Sequence, residues 1–175
     1  GSAVGNTESY NGSAFSEVAD LNTARTDLAG AGVSNTAALG AGGEAPPYSA
    51  TTETWNGSGW TEVNDLNTAR AKMGGAGTVS SALIFGGEIS TGVTAVTESW
   101  NGTSWTEVSD LNSGRKILGD AGSSNTNALC FGGFITAPSA LNESWNGSAW
   151  TEVNNLNSAR HYGAQAGPYT AALRA

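Results

Sequence analysis

The chain has 175 residues, a formal charge of −8 and a sequence pI near 4.4, which argues against phosphate backbones and anionic lipid as partners, because both require clustered Lys and Arg. Only 13% of residues are charged while 25 are Gly, a mixture that suits one all-β domain of short strands rather than a disordered chain. Cys130 is the single cysteine, so an internal disulfide and a cysteine metal cluster are both excluded, and no apolar run is long enough to span a bilayer.

Gly1-Ser2 reads as the scar of a cleaved tag. The first predicted strand runs from about Val4 to Tyr10, followed by the turn Asn11-Gly12 and a second strand opening at Phe15. Asn-Gly predicts a tight hairpin, since both residues tolerate positive φ. Next come Asp20, Leu21 and Arg25, the small-residue strand around Gly30-Ala31-Gly32, and the loop Glu44-Ala45-Pro46-Pro47-Tyr48-Ser49. The pattern then repeats. Trp55 and Trp60 flank Asn56-Gly57, Arg70 precedes the strand Met73 to Thr78, and the apolar run Ala82 to Phe85 ends at Gly86-Gly87 before the loop Glu88 to Val93. A third pass carries Trp100, Trp105, Asp110, Leu111, Arg115, Ala121-Gly122, the run Ala128 to Phe131 with Cys130 as a buried, inert thiol, and the loop Phe134 to Pro138. The fourth has Trp145, Trp150, Leu156, Arg160, His161 and Tyr162, and the chain stops in a strand at Thr170 to Arg174.

Tyr10, Trp55, Trp100 and Trp145 are spaced by 45 residues, as are Phe15, Trp60, Trp105 and Trp150, and as are Arg25, Arg70, Arg115 and Arg160. The even spacing makes the arginines structural members of a repeat. Four antiparallel strands recurring at this period are the sequence sign of a β-propeller blade, with repeat units at about 1–45, 46–90, 91–135 and 136–175 of a single domain. The units are permuted relative to the blades, so the N- and C-terminal strands are expected to pair in one composite blade. Two closures satisfy this: four blades in one chain, or an eight-bladed ring from two chains. The small residues of the inner strands favour four.

The aromatics are expected to bury between neighbouring sheets, with Leu21, Leu66, Leu111 and Leu156 sealing the strand ends. Asp20, Asp65 and Asp110 are placed to pair with the arginines or to cap a turn, and Asn155 breaks their set. The four Asn-Gly-Ser/Thr sites and Asn142-Glu143-Ser144 are also glycosylation sequons, with turn formation the better reading of the four repeated ones.

The double glycine after an apolar strand, two aromatics flanking the next turn and an Arg ahead of a Gly-containing strand resemble the kelch repeat. Near-identical units of this type are similar to repeat proteins of marine phages. This chain departs from the kelch pattern in the four residues between its aromatics, in Tyr10 and Phe15 standing for Trp, and in lacking a double glycine after Leu173. The resemblance implies a symmetric, viral structural protein of fibres or virion surfaces, at the virion or outside the cell.

Catalysis requires a nucleophile beside a base or paired, non-equivalent carboxylates, and neither is legible. His161 is the only histidine, which speaks against a zinc site and against a relative of the kelch-type carbohydrate oxidases, whose copper site needs His, Tyr and Cys. No cofactor is expected. The recurring Glu8, Glu53, Glu98 and Glu143, with Glu17, Glu62, Glu107 and Glu152, have the ring-like repetition that oxygen ligands of a hard cation would show, but they fall in predicted outer strands. Recognition on such a scaffold belongs to the loops that differ between repeats, which nominates Tyr48, Phe134, Lys72, Lys116, His161 and Tyr162 for a protein or glycan surface. The sequence reading is therefore a non-enzymatic binding or assembly module, monomeric or a homodimer sharing a ring. Its alternative is an engineered or fragmentary repeat array without a ligand.

Overall fold

A computed structural model describes residues 3–163 and 165–174; Gly1-Ser2, the reading as a tag scar included, lie outside the described residues. Among these there are strands and no helix. An N-terminal hairpin of β1 (Thr7–Tyr10) and β2 (Phe15–Val18) leads into sheet 1, made of β3 (Ala29–Ser34), β4 (Ala37–Glu44), β5 (Tyr48–Trp55) and β6 (Trp60–Val63). Sheet 2 contains β7 (Gly74–Thr78) and β8 (Ser81–Phe85), is interrupted by a ribbon of β9 (Glu88–Ile89) and β10 (Gly92–Val93), and is completed by β11 (Thr97–Trp100) and β12 (Trp105–Glu107). Sheet 3 is β13 (Gly119–Ser124), β14 (Asn127–Phe131), β15 (Asn142–Trp145) and β16 (Trp150–Val153), followed by the pair β17 (Gln165–Ala166) and β18 (Leu173–Arg174). Each four-stranded sheet is an antiparallel meander in chain order.

The two buried apolar clusters lie between consecutive sheets. Leu39, Ala41, Met73, Ile84, Trp100 and Trp105 fill the space between sheets 1 and 2, and Leu83, Phe85, Leu118, Cys130, Trp145 and Trp150 that between sheets 2 and 3. Small residues let the first strands approach closely: a Cβ on Gly75 of β7 would stand 2.4 Å from the Gly30 carbonyl of β3. The double glycines serve the same joints. Gly43, Gly87 and Gly133, all at positive φ, donate their N–H at 2.9 Å to the carbonyls of Arg70, Arg115 and Arg160 at the entry to the next sheet.

Within each sheet the repeated arginine is buried against the glutamate of the third strand: Arg25 with Glu53, Arg70 with Glu98, Arg115 with Glu143. The other carboxylate oxygen accepts two N–H groups from a repeated asparagine. Asn22 N and Nδ2 lie 2.8 and 2.7 Å from Glu53 Oε2, and Asn67 and Asn112 do the same for Glu98 and Glu143. Arg115 Nη2 lies 2.9 Å from Glu143 Oε1 and also donates, with Nε, to Cys130 Sγ. Cys130 is fully buried, and burial pushes its thiol up to about 11 despite the neighbouring guanidinium.

Several expectations change. Asp65 and Asp110 neither pair with arginine nor cap a local turn: each accepts the N–H of a third-strand threonine 13 residues earlier, Thr52 and Thr97, at 3.1 Å. The Asn-Gly hairpins are four-residue loops closed by facing aromatics, as in Trp55 opposite Trp60. Only the glycine takes positive φ, because the Asn side chain instead accepts the N–H groups two and three residues on. Glu53, Glu98 and Glu143 stand in the third strands but are wrapped by Arg and Asn, so their carboxylates are sequestered from any axial cation. The same burial of Glu143 and partial burial of Asn142 set the Asn142 sequon inside a packed strand.

The terminal strands depart most. β1 pairs with β2 and β17 with β18, and among the described residues no ladder joins the two pairs. Their extents, Thr7–Tyr10 and Leu173–Arg174, are shorter than the sequence suggests. Tyr10 and Phe15 are 49% and 68% exposed, whereas their counterparts Trp100 and Trp105 are 1% and 6%, and Leu21 and Leu156 are only half-buried.

Removing one partner of a buried, hydrogen-bonded ion pair strands the other charge, at a cost of about 3–5 kcal/mol. Glu98→Ala is therefore expected to lower the urea unfolding free energy by about that amount, leaving Arg70 without its counterion. A pH effect follows from Glu53. Burial alone would raise its carboxyl, but the hydrogen bonds from Arg25 and Asn22 outweigh burial and hold it below 4.5. A lowered folded value stabilises above the ordinary one and is lost as the pH falls through the folded value. The urea midpoint is expected to drop on acidification below 4.5, and Glu53→Gln to make that acid limb shallower.

Candidate functional site

The structure gathers the nominated side chains on one face through the segments that enter and leave the sheets. Isolated bridges pair Thr26 with Glu44, Ala71 with Glu88 and Lys116 with Phe134, so the residue after each buried arginine lies beside the variable loop after the second strand. In this way the arginine anchors of the scaffold fix the position of the loops.

Glu88 sits between two lysines. Its carboxylate pairs with Lys116 and lies 2.9 Å from Lys72 Nζ, while Glu44 stands 3.8 Å from the same amine. The hydrogen bonds from Lys116 and Lys72 hold the Glu88 carboxyl below its usual range, and the bond to Glu88 raises Lys72. Tyr48 lies beside this group, its hydroxyl raised by burial and then by the Glu88 charge. On the other side Phe134 meets His161 edge-on at 5.2 Å, and His161 meets Tyr162 at 5.2 Å. Backbone bonds of 3.0 and 2.8 Å between Lys116 and Phe134 join the charged group to the aromatic one. All six nominated residues thus fall on a single polar and aromatic arc.

A cavity of about 190 Å³ opens within the arc, lined by Asp27, Leu28, Lys72, Met73, Ile117, Leu118 and Tyr162. Four of these, Asp27, Lys72, Ile117 and Tyr162, hold positive φ of 47 to 59° without being glycine. For a β-branched residue such as Ile117 this is a strained backbone. It is held by bonds that step between sheets, Lys72 N to the Asp27 carbonyl and Ile117 N to the Lys72 carbonyl, both 2.9 Å. Only the constant 45-residue spacing of the four positions hints at this feature, because nothing in Asp, Lys, Ile or Tyr announces a left-handed backbone.

Glu44 and Glu88, absent from the nominated set, prove to be the acidic partners of its lysines. Their place at the head of the first two variable loops was the available signal. Chemically the arc offers aromatic faces, an amine pair satisfied by one carboxylate, and a small cavity with an apolar floor. A second, larger cavity of about 630 Å³ is surrounded by the first strands β3, β7 and β13 together with Gln165 and Gly167 from the β17 segment, and extends to Leu28 just before β3 and to Gly40 and Trp60 of sheet 1. No protein-family model matches this sequence, and no curated protein does.

Proposed function

We propose that the chain is a non-enzymatic recognition or assembly module, built as a four-bladed propeller of kelch-like blades, that presents the arc around Tyr48, Lys72, Lys116, Phe134, His161 and Tyr162 to a glycan or a protein surface. The observation that carries the reading is the convergence on one face of the loops that differ between repeats, over a scaffold whose repeated residues are consumed in holding it together. Aromatic faces beside polar, hydrogen-bonding groups suit a sugar ring, which has an apolar face and a polar edge.

Two features support the four-bladed closure. The large cavity has segments of all four repeats around it, and the N-terminal hairpin already sits on sheet 1 as sheet 2 sits on sheet 3: Asn35 Nδ2 donates to Ser9 Oγ at 3.1 Å and to the Tyr10 carbonyl at 3.2 Å, as Asn125 Nδ2 donates to Ser99 Oγ and the Trp100 carbonyl, both at 3.0 Å. In the closed ring β18 adds to the free edge of β1. By the register of the other sheets, where Leu83 faces Ser99 and Leu129 faces Ser144, Leu173 then faces Ser9. Glu8 takes the place of Glu53, Glu98 and Glu143 opposite Arg160, whose guanidinium has no carboxylate partner among the described residues.

A glycan array probed with the whole chain tests the function. The reading expects reproducible binding that Tyr48→Ala and Phe134→Ala each reduce by about tenfold or more, in line with loss of an interface aromatic, while the folded β spectrum is kept. Binding that survives both substitutions would place the ligand elsewhere, and silence across the array would leave assembly as the role.

A further inference from the structure

The sheets are joined at their outer edge by one repeated hydrogen bond. The indole Nε1 of Trp60 donates to Thr7 Oγ1, that of Trp105 to Thr52 Oγ1, and that of Trp150 to Thr97 Oγ1, each at 3.1 Å and each across 53 residues. In every case the donor opens the fourth strand of one unit and the acceptor lies in the third strand of the unit before it, three residues ahead of that strand's aromatic. The same offset, carried one step further around four 45-residue repeats, sets Phe15 over Asn142.

Both residues break the pattern, and they break it together. The Phe15 side chain has no donor in place of the indole N–H, and Asn142 stands where the other units have Thr. Asn142 Nδ2 donates to the Asn154 carbonyl at 2.8 Å, which fixes the orientation of the amide and leaves Oδ1 buried with no hydrogen-bond partner. Phe15, 68% exposed, lies against Tyr10 with the rings 4.9 Å apart and no further covering. A buried acceptor without a donor and an exposed aromatic without a pocket are each unfavourable alone.

We propose that the surface of sheet 3 around Asn142 is the docking site for the N-terminal hairpin of the same chain, with the Phe15 ring seated over the Asn142 amide, and that this joint is the one seam of the ring made without the indole hydrogen bond. The proposal rests on the closed four-bladed ring and specifies which surfaces meet when it closes. The occupant is the chain's own hairpin because that hairpin is already held on sheet 1 by Trp60 and Thr7, one repeat away from the vacant position. A ring with one unbonded seam has a defined place to open, between β2 and β15.

Phe15→Trp tests the seam by adding what it lacks. A Trp at this position puts Nε1–H within reach of Asn142 Oδ1, and since Phe15 is exposed when the hairpin is undocked, the substitution does not threaten folding. The expected result is a thermal midpoint raised by about 2–4 °C, the shift for one added hydrogen bond in a chain of this size, together with a new indole N–H resonance resistant to solvent exchange beside those of the six native Trp. Phe15→Trp with Asn142→Thr, which recreates the Trp105–Thr52 pair, is expected to be at least as stable. Light scattering on the same samples separates the two readings. A monomer whose added indole exchanges freely and whose midpoint is unchanged overturns the seam while leaving closure standing. A dimer with a protected indole overturns the choice of occupant and assigns the surface to a partner's hairpin, and a dimer with a free indole overturns both.

Discussion

The buried node of arginine, glutamate and asparagine is the constraint on which the rest of the structure depends. Each sheet is only four strands wide, and its first and third strands are kept in fixed relation by a guanidinium that reaches under the second strand to a carboxylate 28 residues away. Such a pair is costly to bury and cannot be left half made, so the sheet has one workable register. Arg70 and Arg115 also act outward through their carbonyls, which accept the N–H of the preceding sheet's second glycine. One residue type thereby sets both the internal register of a sheet and its seating on its neighbour.

The function proposed here follows from that economy. Residues that repeat are occupied: Trp in the joints, Glu and Asn around Arg, Leu at the strand ends, Gly where backbones touch. What is left to vary is the loop after each second strand and the residue facing it, and these are the positions that collect around Glu88, Phe134 and the strained ring of Asp27, Lys72, Ile117 and Tyr162. Asymmetry on a symmetric scaffold is where selective recognition can reside, since four equivalent positions present the same chemistry four times.

Much of this was legible in the sequence. The 45-residue period, the four strands per unit, the hairpins at Asn-Gly and the structural role of the arginines all follow from spacing and turn chemistry. The partner of each arginine was not, because Asp65 is near Arg70 in sequence while Glu98 is near it only after the strands pair. Positive φ at both residues of Asn-Gly was not legible for a related reason: the Asn side chain satisfies the loop's N–H groups, so only the glycine takes it. Of the candidate site, the six side chains were nominated from the loops and rim positions that differ between repeats, but Glu88 as the centre of the lysine pair and the positive φ at Ile117 required coordinates. The first unit misled most, since Tyr10 and Phe15 sit at Trp positions yet are exposed.

Closure of the ring through the chain's own ends is the central claim, and the most direct measurement is a disulfide trap across the proposed β1–β18 ladder. Facing residues of an antiparallel pair lie about 4.5–5.5 Å apart at Cα, within the reach of a disulfide, and Cys130, fully buried with its thiol raised to about 11, does not compete. Ser9→Cys combined with Leu173→Cys should oxidise to a single intramolecular bridge in a particle of monomer mass. Oxidation that links separate chains, or two thiols that stay free in the folded protein, would contradict the account.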